Sequence, residues 1–487
     1  MKKKHILLHG FGSFPLNFKA LIEYARESGD DSIEWSIACT TGHYVETYKK
    51  LLGKEAVLYL HADMKNYLHA PDLLENLSNY SGNIYRNIES EKRCTKHKKS
   101  MRQLRTAAAM YLSTKAFVKK RQPTHILFGN IEGLDGMTLI SVGKELGIPA
   151  LVPTHTRHLG ETFFSPDHLE TLPMDRAVTN AHREKAADFL QRYQNSETRA
   201  AALPVEIMQE PLETYSFNSP SFLQRSLGFI KRLIDEPEMR EPDVFRASLF
   251  INFPALANLF WKTRGALNKR IYDISTIGQL PKRFAYYPLQ YSPESSINTP
   301  APYFVDQLRA IDAIRFALPS DMLLVVKEHP SCIGLRPLHF LKSLQKKAGV
   351  IIARYDIPSD LIQSKAAITL SVTGTSTLEA FLKGSPALTL GGTFFTDFFG
   401  GVAGTDSLSQ RIQTALDKPA SDEEILEALA RIYAVSAPFV LGSPFDKDSP
   451  FQKYALNKIN IENFYRHLIQ EIKHEPHKEK ENENVSI

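Results

Sequence analysis

AAITLSVTGTSTLEA, residues 366–380, passes from an apolar run of strand length through a Thr-Gly-Thr-Ser turn into a helical pattern. A strand, a tight turn and a helix in immediate succession form the repeating unit of a parallel sheet wrapped by helices. The unit recurs on both sides. Upstream lie RFAYYPLQ (283–290), a helical pattern over 301–316, MLLVVKE (322–328), a helix near 338–347 and GVIIAR (349–354); downstream, PALTL follows at 386–390. In the first third of the chain HILLHG (5–10), EWSIACT (34–40), AVLYLH (56–61), HILFGN (125–130) and PALVPT (149–154) alternate with longer helical stretches. Of these the stretch 98–121 reads as a helix, and Pro123 supplies its stop. The pattern predicts an α/β protein with two doubly wound domains.

A length of 487 residues exceeds what one hydrophobic core usually serves, which agrees with two such halves. With 43% hydrophobic and 23% charged residues the chain can bury sizeable cores. A net charge of +5 is too mild to imply a nucleic-acid partner. The three cysteines, Cys39, Cys94 and Cys332, are far apart and lack metal-ligand spacing, so neither a disulfide framework nor a zinc site is expected. The opening MKKKHILLHG is basic, but its apolar run is short and ends in His9 and Gly10, so it reads as a first strand, not a signal-peptide core. No apolar stretch approaches the roughly 20 residues of a membrane-spanning helix. A cytoplasmic protein is expected. The expected organisation is a first domain over 1–215, a helical linker or insertion over 216–280, a second domain over 281–448, a closing helix over 449–473 and a polar, disordered tail over 474–487. No internal repeat is found.

Ligands of open parallel sheets bind beyond the carboxyl ends of the strands, so polar residues that directly follow strand-like runs are the first candidates. Four segments of the second half qualify. In YYPLQYSPESS (286–296), Gln290 and Glu294 follow a strand within a turn set by two prolines; the plain alternative is a solvated turn. In VVKEHPSCIGLRP (325–337), Lys327, Glu328 and His329 close a strand, and Pro330 keeps the preceding residue out of helix. A cation and an imidazole there can neutralise and protonate a phosphate leaving group, against the alternative of a packed loop histidine. In SVTGTSTLEAFLKG (371–384), backbone N–H groups at a helix start and the hydroxyls of Thr373, Thr375 and Ser376 suit a phosphate, with Glu379 one turn on for a sugar hydroxyl. The alternative is N-capping by Thr375 or Ser376, with Glu379 in a capping box. In GGTFFTDFFGGV (391–402) glycines permit close approach and aromatics can stack on a base, unless the segment is a mobile apolar loop. In the first half HGFGS (9–13) reads as a tight strand-to-helix turn without a dinucleotide-binding spacing, and Glu132 and Asp135 of NIEGLDG (130–136) either face the same edge or cap a helix.

The succession YYPLQYSPESS, FVDQLRAIDAI, LPSDMLLVVKEHPS and TGTSTLEAFLKGSPALTLGGTFF, over residues 283–402, resembles the capsule and surface polysaccharide biosynthesis family, relatives of the bacterial Kdo transferases that build capsule linkers. The resemblance implies a GT-B-like glycosyltransferase: two Rossmann-like domains facing a cleft, with a helical insertion between them, the second binding a nucleotide-sugar donor and the first an acceptor glycan. It implies catalytic roles for Glu294 and His329, and donor binding by Gln290, Lys327, Thr373, Gly374, Thr375, Ser376 and Glu379. Relatives carry an acidic loop in the first domain; here THTRHLGETFFSP (154–166) offers His155, Arg157, His158 and Glu161 as acceptor-side candidates and leaves the base or nucleophile unassigned. No DxD-like pattern stands at a strand end, so the expected chemistry needs no metal and no cofactor, with a CMP-Kdo-like or UDP-sugar as substrate. A nucleotide-sugar 2-epimerase, a polyol-phosphate transferase and a non-enzymatic polysaccharide-binding or export-assembly protein are the competing readings on the same fold.

RASLFINFPALANLFWKTRGALNKRIY, residues 246–272, carries Arg246, Lys262, Arg264, Lys269 and Arg270 with interleaved Phe250, Phe253, Phe260 and Trp261, and no acidic residue. Such a segment suits either the anionic inner face of a cytoplasmic membrane, where a lipid-linked acceptor would reside, or an interdomain helix with solvated cations.

Overall fold

The computed structural model describes residues 3–40, 42–91, 100–195, 271–291, 295–329, 332, 336, 338–402, 404–442 and 450–474. Two sheets organise these residues. The first contains β1 (Lys4–Gly10), β2 (Ile33–Cys39), β3 (Val57–Tyr59), β4 (His125–Leu127), β5 (Ala150–His155) and β6 (Thr162–Ser165), in the order β3-β2-β1-β4-β5-β6. The second contains β7 (Phe284–Pro288), β8 (Leu323–Lys327), β9 (Val350–Ala353), β10 (Ile368–Ser371) and β11 (Ala387–Thr389), in the order β11-β10-β7-β8-β9. All described pairings are parallel except β5 with β6. The α/β arrangement of two doubly wound sheets expected from the sequence is the one observed.

Both faces of each sheet are covered, which explains why the strands read as continuous apolar runs instead of alternating ones. Along β1, Ile6 and Leu8 enter one core with Phe18 and Leu21, while Leu7 enters another with Met110 and Leu134. In the second sheet Ala285, Leu324 and Val326 face one core, and Phe284, Tyr286 and Val325 face the other. The helix Ser100–Arg121 packs on the helix Gly133–Glu145 over the first sheet.

Three features differ from the sequence reading. The segment expected as a loop after β5 folds back as antiparallel β6, with Thr162 also bridging Ala437. The closing helix is two helices, Pro450–Ala455 and Lys458–Lys473, the second capped by the Asn457 side chain on Ile459 N–H. That last helix belongs to the first domain: it packs on the helix Phe14–Glu27, and Phe464, Leu468 and Ile472 complete the core containing Ile6 and Leu8. Most of the expected insertion over 216–280, the 246–272 segment save Ile271 and Tyr272, and the tail beyond His474 lie outside the described residues.

Candidate functional site

Each sheet has a switch point where strand order reverses, and ligands of open sheets collect in the crevice there. In the first it lies between β1 and β4, in the second between β7 and β10. A cleft of about 700 Å³ runs between these edges. The first domain contributes Gly129, Asn130, His155, Arg157, His168 and Glu170; the second contributes Gln290, His329, Ser359, residues 373–376 and Glu379. Arg86 Nη2 donates to the Pro300 carbonyl at 3.1 Å, and Thr299 Oγ1 to that of Ile131 at 3.4 Å, joining the walls.

On the second-domain wall, the turn after β10 leads into the helix Thr375–Leu382, whose N-cap is Gly374 with φ −76° and ψ 145°. No side chain caps this helix, so the capping alternative for Thr375, Ser376 and Glu379 is not the arrangement found. Thr377 serves the turn instead, donating to the Gly374 carbonyl at 2.9 Å. The Thr377 N–H donates to the Gly374 carbonyl at 3.3 Å, the N–H groups of Thr375 and Ser376 have no intrahelical acceptor, and the buried Ser376 Oγ has no partner among the described residues. Gln290 lies behind the turn: backbone N–H groups only donate, so its carboxamide oxygen is the atom facing Gly374 N at 2.9 Å. Thr373 Oγ1 donates to the Ser296 carbonyl at 2.6 Å. A Cβ on Gly391 would come within 2.8 Å of both Thr373 Cγ2 and Ala301 Cβ, so glycine is what allows the next strand end to approach the turn.

His329 follows β8, lines the cleft half-buried and meets the Tyr291 ring edge-on at 5.9 Å. Burial, then the Arg336 and Lys327 cations, lower its pKa below the ordinary histidine value. Lys327 is buried and does not itself line the cleft; its Nζ donates to Ser359 Oγ at 2.8 Å, and Ser359 does line it. Glu328 and Arg336 form a buried pair, with Nε 2.9 and 2.8 Å from the two carboxylate oxygens, and Arg336 Nη2 also donates to the Gln290 carbonyl. Burial raises the Glu328 pKa against the pull of Arg336. Glu294 and Pro330 lie outside the described residues.

The first-domain candidates separate. His155 and Arg157 line the cleft. Burial, followed by Arg157 and His158, lowers the His155 pKa to about 3, so its ring is neutral. His158 reaches across the domains, Nε2 standing 3.5 Å from Glu379 Oε1. Glu161 is buried away from the cleft wall, held by Lys185 and by Ser436 Oγ at 2.5 Å. His168 and Glu170 escaped the sequence reading because they follow β6, a strand that its four residues did not announce. Asp135 binds His9 Nε2 at 3.0 Å in a buried pair rather than facing the cleft, and Glu132 is the N-cap of its helix without a side-chain cap bond. Phe394 and Phe395, expected to offer a stacking surface, are core residues packed with Phe163. Among the described residues no cluster of three metal-ligating side chains occurs, and no helix is long and apolar enough to cross a membrane.

Comparison with known proteins gives one family match and several distant structural likenesses. Residues 270–442 match the model of the family described as capsule polysaccharide biosynthesis protein. No curated protein matches. Among solved structures, the chain is similar to a UDP-GlcNAc 2-epimerase from Methanocaldococcus jannaschii in complex with UDP-GlcNAc and UDP, at 12% identity over 88% of this chain and 99% of that one, with a TM-score of 0.24. It is also similar to two structures of Thermosulfurimonas dismutans KpsC. The β-Kdo 2,7 transferase shows 13% identity over 74% and 90% of the two chains, TM-score 0.30. The β-Kdo 2,4 transferase shows 10% over 63% and 87%, TM-score 0.32. The family match spans the whole second sheet and the strand-end turns that line the cleft, so residues 270–442 are similar to the capsule polysaccharide biosynthesis protein family.

Proposed function

We propose that the protein is a glycosyltransferase that moves a sugar from a nucleotide donor to a growing capsule or surface polysaccharide. The observation that carries this reading is the uncapped start of the helix Thr375–Leu382, which opens into the interdomain cleft beside His329 and Glu379. A helix start with unpaired N–H groups and a free hydroxyl stabilises phosphate. In this reading residues 373–376 hold the donor phosphate, positioned by Gln290 from behind. Glu379 accepts from a ribose or sugar hydroxyl. His329, neutral because of its lowered pKa, donates an N–H to the phosphate oxygen that gains charge as the glycosidic bond breaks. Lys327 acts through Ser359. Glu294, which lies outside the described residues, is assigned to the reacting centre by family resemblance alone. No metal takes part in the proposed chemistry, and the 246–272 segment holds the protein at the inner face of the cytoplasmic membrane near a lipid-linked acceptor.

The test is calorimetry with CMP and UDP, followed by assays with labelled CMP-Kdo and UDP-GlcNAc, with and without oligosaccharide fragments of a capsular polysaccharide. Nucleotide binding in the micromolar range and acceptor-dependent transfer are expected. Conversion of the donor without acceptor would point to an epimerase, and absence of nucleotide binding to a non-enzymatic role.

A further inference from the structure

Glu379 lines the cleft one helical turn beyond Thr375. Lys383, four residues on, is placed to pair with it along the helix, yet lies with Gln363 Oε1 at 3.4 Å. The group that meets the Glu379 carboxylate belongs to the other domain: His158 Nε2 stands 3.5 Å from Oε1.

The His158 side chain is only 6% exposed, and neither ring nitrogen has a hydrogen-bond partner among the described residues. A buried polar group left unmatched costs free energy, so its retention calls for a reason. A carboxylate only accepts, so the nitrogen that faces Glu379 must carry a proton to bond it. At 3.5 Å the pair stands at the outer limit of hydrogen bonding, and an approach of roughly 0.5 Å makes it a full charge-assisted bond.

The backbone under His158 is shaped for this placement. It is a single turn, Arg157–Leu159, bounded by two left-handed residues, Arg157 at φ +59° and Gly160 at φ +71°. Glycine adopts that region freely, whereas an arginine there is strained and persists only where its surroundings over-determine it. Here they do. Arg157 Nη2 pairs with Glu170 at 2.7 Å, Nη1 donates to the His155 carbonyl at 3.1 Å, and the backbone N–H donates to His155 Nδ1 at 3.1 Å. Thr156 Oγ1 donates to the Glu161 carbonyl at 2.8 Å and accepts from the Glu161 N–H at 3.0 Å, closing the base of the turn. On the far side Tyr193, from the helix Asn180–Gln194, packs its ring 5.8 Å from that of His158. Burial, then the Glu379 charge, raises the Tyr193 pKa, so the phenol stays neutral beside the pair.

Resting on the glycosyltransferase reading above, we infer that His158 is a positioning residue of the donor site, holding the Glu379 carboxylate in the direction from which it accepts a hydroxyl of the nucleotide sugar. With Oε1 turned to His158, Oε2 is left for that hydroxyl. The first domain thus completes a site whose other parts lie on the second, and His158 serves the donor, not the acceptor side on which its sequence position suggested it.

Two variants separate this role from packing. His158→Leu keeps the buried volume and removes the N–H, while His158→Gln keeps a donor close to the position of Nε2. In the transfer assay with labelled CMP-Kdo or UDP-GlcNAc and capsular oligosaccharide, His158→Leu should raise the donor KM about tenfold, the scale of one hydrogen bond to a charged group. Its kcat and acceptor KM should stay within about twofold. The donor KM of His158→Gln should stay within about threefold of wild type. On a Glu379→Ala background His158→Leu should add nothing further, because the group it positions is gone. An unchanged donor KM, a raised acceptor KM in its place, a Gln variant as impaired as the Leu variant, or full additivity with Glu379→Ala would each overturn the assignment while wild-type transfer stands. A wild-type protein that neither binds nucleotide nor transfers sugar would instead overturn the glycosyltransferase reading, and this inference with it.

Discussion

Replacing Arg336 by methionine should loosen the donor wall in a way that can be read amide by amide. The guanidinium pairs with both oxygens of Glu328 and donates to the Gln290 carbonyl, while Glu328 and Arg336 side chains are only 3% and 10% exposed. Removing one member of a buried pair leaves the other charge uncompensated, at a cost of about 3–5 kcal/mol. Hydrogen exchange of the β7 and β8 amides reports local opening free energy, so that cost corresponds to exchange faster by about 10²–10⁴-fold. The penalty depends on pH. Burial already raises the Glu328 pKa and Arg336 opposes the rise, so without Arg336 the folded-state value climbs further above the unfolded one. Between the two values the native state then binds more protons than the unfolded state, and stability falls as pH rises through that window. The variant should therefore lose more at about pH 8 than at about pH 5. Adding Glu328→Gln to Arg336→Met removes the orphaned charge and should recover most of the protection. Exchange faster by less than about fivefold, roughly 1 kcal/mol, or a double variant no better than the single one, would refute the argument.

Four further outcomes follow from the site. His329→Ala should lower transfer by about 10²-fold or more without altering the circular dichroism spectrum, as measured in the CMP-Kdo or UDP-GlcNAc assay. Thr375→Ala with Ser376→Ala should weaken nucleotide binding in calorimetry and leave the melting temperature nearly unchanged, since neither hydroxyl caps the helix. Gly391→Ala places a methyl group 2.8 Å from Thr373 Cγ2 and Ala301 Cβ; overpacking of about 1–3 kcal/mol should lower the melting temperature and the nucleotide affinity together. Liposome co-sedimentation should require anionic lipid, weaken with salt and fall when Lys262, Arg264, Lys269 and Arg270 become Gln, each basic group contributing about 1 kcal/mol; salt-insensitive binding would remove the membrane proposal alone.

Only local features can be read from the order of residues along the chain. Parallel strands buried on both faces must be apolar throughout, so RFAYYPLQ, MLLVVKE and AAITLS stood out, and the polar residues ending them fell at the sheet edge because chain direction alone puts them there. Gln290, His329, Thr373–Ser376 and Glu379 were legible for that reason. Contacts between residues far apart in the chain emerge only once it is folded. It turned β6 back against β5 and so carried His168 and Glu170 to the cleft, joined Arg336 to Glu328 and Gln290, and returned the helix Lys458–Lys473 to the first domain. It also drew Glu161 and Asp135 into buried pairs with Lys185 and His9. A carboxylate's partner is set by which backbone lies beside it in the folded chain, and spacing in sequence carries no record of that neighbour.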